Sequence, residues 1–238
     1  FKLNLPTIAM DTIGAGAGTI IKVDPYTRKA SIGPESAGSV PGPVALDMGG
    51  TEPTIADCDA IMGRLNPDYF LGGKVKLNVE KAKQVLKEKV ADPLGVDVYE
   101  AAEGMVNLLE MEARSSIESI ISSRGVDPSE YHLMAYGGSG PLHMAEYSRG
   151  LGFKGVLTFQ FAAAFSAFGC TTADYLHRHN QSVQIMIDPQ ASEQDRDDVR
   201  RQINEVWREL DDHARSELVA EGHDADAIIC EPFAMMRY

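Results

Sequence analysis

Residues His132–Gly152, HLMAYGGSGPLHMAEYSRGLG, contain a short apolar run, a glycine-rich turn and a helical pattern, in that order. Leu133–Tyr136 has the length of a buried strand, and the glycines at 137–140 must end it. Pro141 suits the first turn of a following helix. Glycine lets a ligand approach the main chain closely, and a helix N-terminus offers free N–H groups to polar or anionic atoms. A tight β–α turn without a ligand is the alternative, because an isolated glycine turn is a weak signal.

The segments around this turn predict an α/β fold. Gly155–Phe159, GVLTF, reads as a second strand, so a β–α–β unit with parallel strands and a right-handed crossover is expected. Asp97–Arg124 is predicted to be the longest helix, capped by Asp97 and ended by Gly125. Phe161–Asp174, FAAAFSAFGCTTAD, is almost entirely small or aromatic and is predicted to be buried.

The N-terminal part of the chain contains a second glycine-rich segment, followed by a predicted hairpin. Thr19–Val23 and Ala30–Ile32 have the composition of paired strands. The glycines that precede them alternate with other residues and are Gly14, Gly16 and Gly18. A flexible bend and a loop that lies against a ligand are both consistent with this pattern.

Residues 33–50 are rich in glycine, proline and serine, which predicts irregular structure. Asp47–Thr51, DMGGT, resembles a phosphate-binding turn, although closely preceding prolines disfavour the strand that such a turn follows. Thr54 is predicted to cap a helix with Asp57 in its first turn. Asp57 and Asp59 could bind a metal, but two acids two residues apart on a helix point in different directions, which favours solvation and dipole support.

The C-terminal third is predicted to contain a strand, a charged helix over Ser192–Gly222, and a final strand over Ala227–Tyr238. On the first of these strands, His177 and His179 would share one face. No matching acid or third histidine lies close to them in the sequence, so no metal site is predicted in this chain.

Bulk properties restrict the functional class. The chain has 238 residues and a net charge of −13, which argues against nucleic acid or an anionic membrane as a partner. No apolar run is long enough to cross a bilayer. Three scattered cysteines without a C-x-x-C pair suit reduced thiols, which predicts a cytoplasmic protein. The start at Phe1 and a terminal strand pattern predict a piece of a longer protein.

Several segments, in this order, resemble the hydantoinase A / 5-oxoprolinase family. They are TIGAGAGTI, IGPESAGSVPGP, GGTEPTIADCDAIMGRLNPDYFLGG, YGGSGPLH, FSAFGCTTAD and the terminal MRY. FSAFGCTTADYLHRH is more similar to the ketone-carboxylase branch (acetone or acetophenone carboxylase) than to the hydantoin and oxoproline hydrolases.

The resemblance implies part of an actin-like ATPase fold of the sugar-kinase, Hsp70 and actin type, with a mixed sheet and flanking helices. Residues 1–238 would then be a fragment of the hydantoinase A domain, its C-terminal nucleotide-binding lobe, with a loop-rich segment at residues 33–75. The residues implied to lie against the base and ribose of ATP are Gly137, Gly138, Ser139 and Gly140. Those implied to lie near the phosphates are Gly14, Gly16 and Gly18, and the further candidates are Thr54, Asp57 and His143. No catalytic residue is assigned, because the first phosphate loop and the catalytic acid of the family have no counterpart in this chain.

The resemblance also implies a function. It points to an ATP- and Mg²⁺-dependent carboxylase subunit that activates a ketone, bicarbonate or both by phosphorylation and yields a 3-oxo acid. The implied partners are a hydantoinase-B-type subunit, which can hold a further divalent metal, and a small third subunit. An ATP-dependent hydantoin or 5-oxoproline hydrolase is the first alternative, and a non-catalytic scaffold subunit is the second.

Overall fold

The structure, a computed structural model, describes residues 11–235. Within this range the chain forms two compact units, residues 11–172 and residues 173–235. The strands of the first unit are β1 (Thr19–Val23), β2 (Ala30–Ser36), β3 (His132–Met134) and β4 (Gly155–Leu157). Its helices are α1 (Ile55–Ile61), α2 (Val79–Leu86), α3 (Asp92–Leu94), α4 (Val98–Arg124), α5 (Gly140–Ser148) and α6 (Phe165–Thr172). The second unit contains α7 (Glu193–Ala220).

The strands form two small sheets. β1 and β2 pair antiparallel with Ile21 opposite Ile32, which confirms the predicted hairpin, and β2 continues to Ser36. β3 and β4 pair parallel and α5 connects them, which confirms the β–α–β unit. The α/β composition is therefore confirmed. Among the described residues, however, the strands belong to separate two-stranded sheets and do not form one mixed sheet.

The core of the first unit lies where α1 packs against α2 and α4. Ile55, Leu86 and Val106, one from each of these helices, are completely buried. Asp97 caps α4 by accepting a hydrogen bond from the Tyr99 N–H, and Gly125 ends the helix in a left-handed conformation, as predicted. The prediction that this is the longest helix is wrong, because α4 has 27 residues and α7 has 28. Buried apolar residues of α1, α2 and α4 therefore supply the core.

Three predictions for the first unit need correction. Residues 33–50 are not wholly irregular, because β2 extends into them and Val44–Leu46 forms a 3-10 turn. Asp57 and Asp59 are buried instead of solvated, because α1 is enclosed by its neighbours. The segment after β4 is largely exposed, with Phe161 at 47% and Phe168 at 48%. Its aromatic rings pack mainly on one another and not into the core.

The second unit is organised by α7. Ser192 and Asp195 form a capping box at its start, and the helix matches the predicted charged segment. The two predicted strands are absent from the described part of this unit, where residues 175–188 and 228–235 have no regular structure and residues 236–238 lie outside the description. Between residues 11 and 235, no helix is both long and apolar enough to cross a membrane.

Candidate functional site

The glycine turn between β3 and α5 is held in place by main-chain and side-chain contacts. The Gly137 N–H donates to the Ala162 carbonyl over 2.8 Å. The Tyr147 hydroxyl, from the last part of α5, donates to the Gly140 carbonyl over 3.0 Å. Gly137 has φ +93°, a conformation that favours glycine. The turn therefore has a defined shape imposed by its surroundings.

Gly138 presents an open main-chain surface. A Cβ added at this position would meet no heavy atom within 4 Å, and its φ lies outside the left-handed region. In contrast, a Cβ at Gly50 would lie 2.3 Å from the Gly42 carbonyl oxygen. Neither packing nor backbone conformation among the described residues thus requires glycine at 138. Ser139, the N-cap of α5, makes no side-chain cap hydrogen bond, so its side chain does not cover the helix start.

Packing against the β1–β2 hairpin explains two of the three glycines that precede it, Gly14, Gly16 and Gly18. A Cβ at Gly14 would lie 3.2 Å from Pro34, and a Cβ at Gly18 would lie 2.9 Å from the Ser36 hydroxyl. Close packing against β2 therefore accounts for Gly14 and Gly18 without a ligand. Gly16 differs, since a Cβ there would meet nothing within 4 Å.

Thr54 and Asp57 come together in the capping box of α1. The Asp57 carboxylate accepts hydrogen bonds from Ala45 N (2.7 Å), Val44 N (3.2 Å), Thr54 N (2.8 Å) and Thr54 Oγ1 (2.8 Å). Burial raises the pKa of Asp57, while these hydrogen bonds act to lower it. Thr54 and Asp57 therefore hold the loop before α1 against the start of the helix. This structural role explains the positions of both side chains without a ligand.

Asp47, in the DMGGT segment, binds Lys81 and Asn78 on and beside α2. The hydrogen bond from the Lys81 amine contributes most to lowering the pKa of Asp47 below its usual range, and the hydrogen bond from Asn78 adds to it. The side chain is committed to a surface ion pair, which explains its position without a phosphate.

His143 lies in the first turns of α5 and is buried among charged groups from two other helices. Its Nδ1 is 3.0 Å from Glu110 Oε1 on α4, and its Nε2 is 3.3 Å from Asp59 Oδ2 on α1. Arg64 Nη1 donates to the same Glu110 oxygen over 2.7 Å. We refer to Asp59, Arg64, Glu110 and His143 as the buried charge cluster.

Opposing effects set the protonation of His143. Burial lowers the pKa of His143, but hydrogen bonding and attraction to Asp59 and Glu110 raise it, and the net shift is upward. His143 Nδ1 is within hydrogen-bond distance of Glu110, whereas Nε2 faces Asp59 Oδ2 at 3.3 Å as an ion pair that does not meet hydrogen-bond geometry. The buried charge cluster therefore links α5, and with it the glycine turn, to α1 and α4.

Sequence reasoning identified His143 but missed its partners. The sequence pattern predicts a solvated Asp59, and it does not indicate Arg64 or Glu110 as partners of His143. Glu110 did carry a usable signal, because it follows the buried Val106 by one helical turn and so falls on the apolar stripe of α4. A charged residue on such a stripe indicates a buried partner.

Comparison with known proteins shows the family of the chain. The model of the hydantoinase/oxoprolinase family matches residues 1–179. The chain belongs to the hydantoinase/oxoprolinase family. The model of the hydantoinase/oxoprolinase C-terminal domain matches residues 190–238.

Two relatives confirm the resemblance to the ketone-carboxylase branch of the family. The chain is 40% identical to the acetone carboxylase beta subunit of Xanthobacter autotrophicus over 99% of its own length and 33% of the relative. It is 36% identical to the acetophenone carboxylase gamma subunit of Aromatoleum aromaticum, over 95% of this chain and 30% of the relative. The chain thus spans about a third of the length of these family members.

Two solved structures are similar to this family member. The nucleotide-free structure of acetone carboxylase matches 94% of this chain and 32% of its own chain with 40% identity and a TM-score of 0.78. The ATP-dependent caprolactamase of Pseudomonas jessenii matches 70% of this chain and 24% of its own, with 36% identity and a TM-score of 0.63.

Proposed function

We propose that residues 11–172 form part of the nucleotide-binding lobe of an ATP-dependent carboxylase subunit with an actin-like ATPase fold. The whole protein activates a ketone, bicarbonate or both by phosphorylation, and the product is a 3-oxo acid. A hydantoinase-B-type subunit and a small third subunit complete the assembly. The similarity to subunits of acetone and acetophenone carboxylases supports the activity, and the similarity to the acetone carboxylase structure supports the fold.

The open main chain at Gly138 is the observation that carries the proposal. A ligand lying against the backbone would account for a glycine that the described residues do not require. Tyr136, just before the turn, is 49% exposed, and its ring centroid lies 5.3 Å from that of Phe165. An exposed aromatic face beside an open main chain suits a purine base, which can stack on the ring.

The residues of this chain bind and position the nucleotide. The base and ribose lie against Gly137, Gly138, Ser139 and Gly140. Tyr147 holds the turn through its hydrogen bond to the Gly140 carbonyl, and His143 holds α5 against α1 and α4. Bound ATP with Mg²⁺ supplies the phosphoryl group, and such transfer depends mainly on positioning and charge neutralisation. The nearby carboxylates do not suit Mg²⁺, because Asp59 and Glu110 are buried against His143 and Arg64. The catalytic acid and the Mg²⁺ ligands therefore lie outside this cluster.

ATP binding to the intact protein carrying Gly138→Val tests the proposal. The Cβ of the new side chain has no heavy atom of the described residues within 4 Å, so we expect an unchanged melting temperature while ATP affinity falls by at least about tenfold, or 1.4 kcal/mol. Gly104→Val is the matched control, because that exposed glycine of α4 also has nothing within 4 Å. Unchanged ATP affinity in Gly138→Val would contradict the proposal and favour a non-catalytic scaffold.

The similarity to an ATP-dependent caprolactamase favours a second candidate, an ATP-dependent cyclic amide hydrolase with water as the acceptor. ATP turnover by the complete assembly separates the two activities. A carboxylase should turn over ATP with a ketone only when bicarbonate is present. Turnover with a cyclic amide that does not depend on bicarbonate would support the hydrolase.

A further inference from the structure

The second unit brings together three histidines and two glutamates. His177 and His179 come from the irregular segment before α7. The other three recur every four residues: His213 and Glu217 lie on α7, and Glu221 is its C-cap residue. One possible ligand atom from each of His177, His179 and Glu217 lies within 4.8 Å of the other two. Asp174 is the acid nearest to His177 in the sequence, but the residue that the fold places beside both histidines is Glu217 of α7.

The distances within this group are longer than good hydrogen bonds. His177 Nδ1 and His179 Nε2 lie 3.6 and 3.5 Å from the same atom, Glu217 Oε2, whereas N–H···O bonds span about 2.7–3.2 Å. Zinc–ligand bonds of about 2.0–2.2 Å place neighbouring ligands of a tetrahedral ion about 3.4 Å apart. The two nitrogen–oxygen distances therefore fit ligands of one ion, and the ligand atoms of all three residues lie within 4.8 Å of one another.

A second observation concerns His179 alone. Its side chain is 16% exposed, and its Nε2 is buried without a hydrogen-bond partner among the described residues. A buried ring nitrogen without a partner is costly in a folded protein. A bound cation would satisfy it.

The remaining two residues lie where they would support such ligands. Glu221 Oε2 is 3.3 Å from His177 Nε2, the ring nitrogen that points away from Glu217. His213 Nε2 is 3.2 Å from Glu217 Oε1, the other carboxylate oxygen. Metal-binding histidines usually donate their second N–H to a carboxylate, which fixes the ring orientation, and metal-binding carboxylates are hydrogen-bonded in turn.

We propose that His177 Nδ1, His179 Nε2 and Glu217 Oε2 form a binding site for a divalent transition-metal ion of the zinc class. Two imidazoles and one carboxylate suit Zn²⁺ better than Mg²⁺ or Ca²⁺, which prefer oxygen ligands. Three protein ligands leave a fourth tetrahedral position for water. Glu221 and His213 are positioning residues. The site consists of residues of the second unit alone and does not depend on the proposed nucleotide site.

Metal titration of the full-length subunit, first freed of metal with a chelator, tests this site. Calorimetry with Zn²⁺ should show one saturable ion per chain, and Co²⁺ should give the intense visible absorption of tetrahedral coordination. Glu221→Gln should weaken Zn²⁺ binding by about 10- to 100-fold, and His179→Ala by more than that. His223→Ala is the matched control: this histidine of the same unit packs at a tilt against the ring of Tyr175, and its replacement should leave Zn²⁺ affinity unchanged.

Two results would overturn the proposal. The first is an equal affinity for Zn²⁺ in His179→Ala and His223→Ala, which would reduce the group to a network of histidine–glutamate ion pairs. The second is a wild-type Co²⁺ spectrum without tetrahedral bands. Because the second result needs no variant, it decides the question even if His179→Ala folds poorly.

Discussion

Replacing His143 with leucine should reveal how strongly the buried charge cluster stabilises the fold. His143 and Asp59 are 4% and 1% exposed. Leucine resembles histidine in size but leaves the Asp59 carboxylate without the imidazolium 3.3 Å from its Oδ2. Removing one partner of a buried ion pair costs about 3–5 kcal/mol. We expect His143→Leu to lower the free energy of unfolding by that amount near pH 6.

The same variant should show a defined pH dependence. Because Asp59 and Glu110 outweigh the opposing effect of burial, the pKa of His143 in the folded protein lies above the usual 6.5. The native state then holds the proton more tightly than the unfolded chain does. This stabilisation is fully present below the unfolded pKa and is lost as the pH rises through the folded pKa. The difference between wild type and His143→Leu should therefore be largest near pH 6 and shrink toward pH 9.

Urea unfolding at several pH values measures both effects. Asp59→Asn introduced into His143→Leu should recover about 1–3 kcal/mol, because it removes the uncompensated carboxylate. His132→Leu is the control, since this exposed histidine of β3 should change stability by at most about 0.5 kcal/mol. A loss below about 1 kcal/mol in His143→Leu would contradict the stabilising role of the buried charge cluster. A loss that is the same across this pH range would contradict the raised pKa of His143.

Three further substitutions test other parts of the fold by urea unfolding. Asp57→Asn replaces one of the carboxylate oxygens that accept hydrogen bonds from the loop before α1 with an N–H donor. It should lower the free energy of unfolding by about 2–4 kcal/mol. An unchanged stability would show that these hydrogen bonds do not hold the loop. Gly50→Ala places a Cβ 2.3 Å from the Gly42 carbonyl oxygen and should destabilise by about 1–3 kcal/mol. Gly104→Ala, in an exposed and open part of α4, should instead stabilise by about 0.5–1 kcal/mol. If Gly50→Ala and Gly104→Ala changed the free energy of unfolding equally, the close packing at Gly50 and the open space at Gly104 would not explain their stabilities.

The elements that the sequence predicted well are those with local signals. The hairpin is specified by the β-branched residues of β1 and by the turn after it, in which the Asp24 carboxylate accepts hydrogen bonds from the Tyr26 and Thr27 N–H groups. α7 begins with the capping box of Ser192 and Asp195. The β–α–β unit follows from two apolar runs separated by glycines and a helical stripe. In each case neighbouring residues contain most of the information.

The features that the sequence did not predict depend on contacts between distant segments. Asp59 is buried because α4 and α5 cover it, and no pattern within α1 shows this. The exposure of α6 was missed because composition describes how apolar a helix is, not whether a surface lies against it. Glu217 reaches His177 and His179 only through the fold of the second unit. Such sites require three-dimensional information.

The most direct test of the central claim is a structure of the intact assembly with a non-hydrolysable ATP analogue. The account predicts that the adenosine lies in van der Waals contact with the main chain of Gly138 and beside the ring of Tyr136. Nucleotide bound at another place, with the turn at residues 137–140 covered by protein, would contradict it.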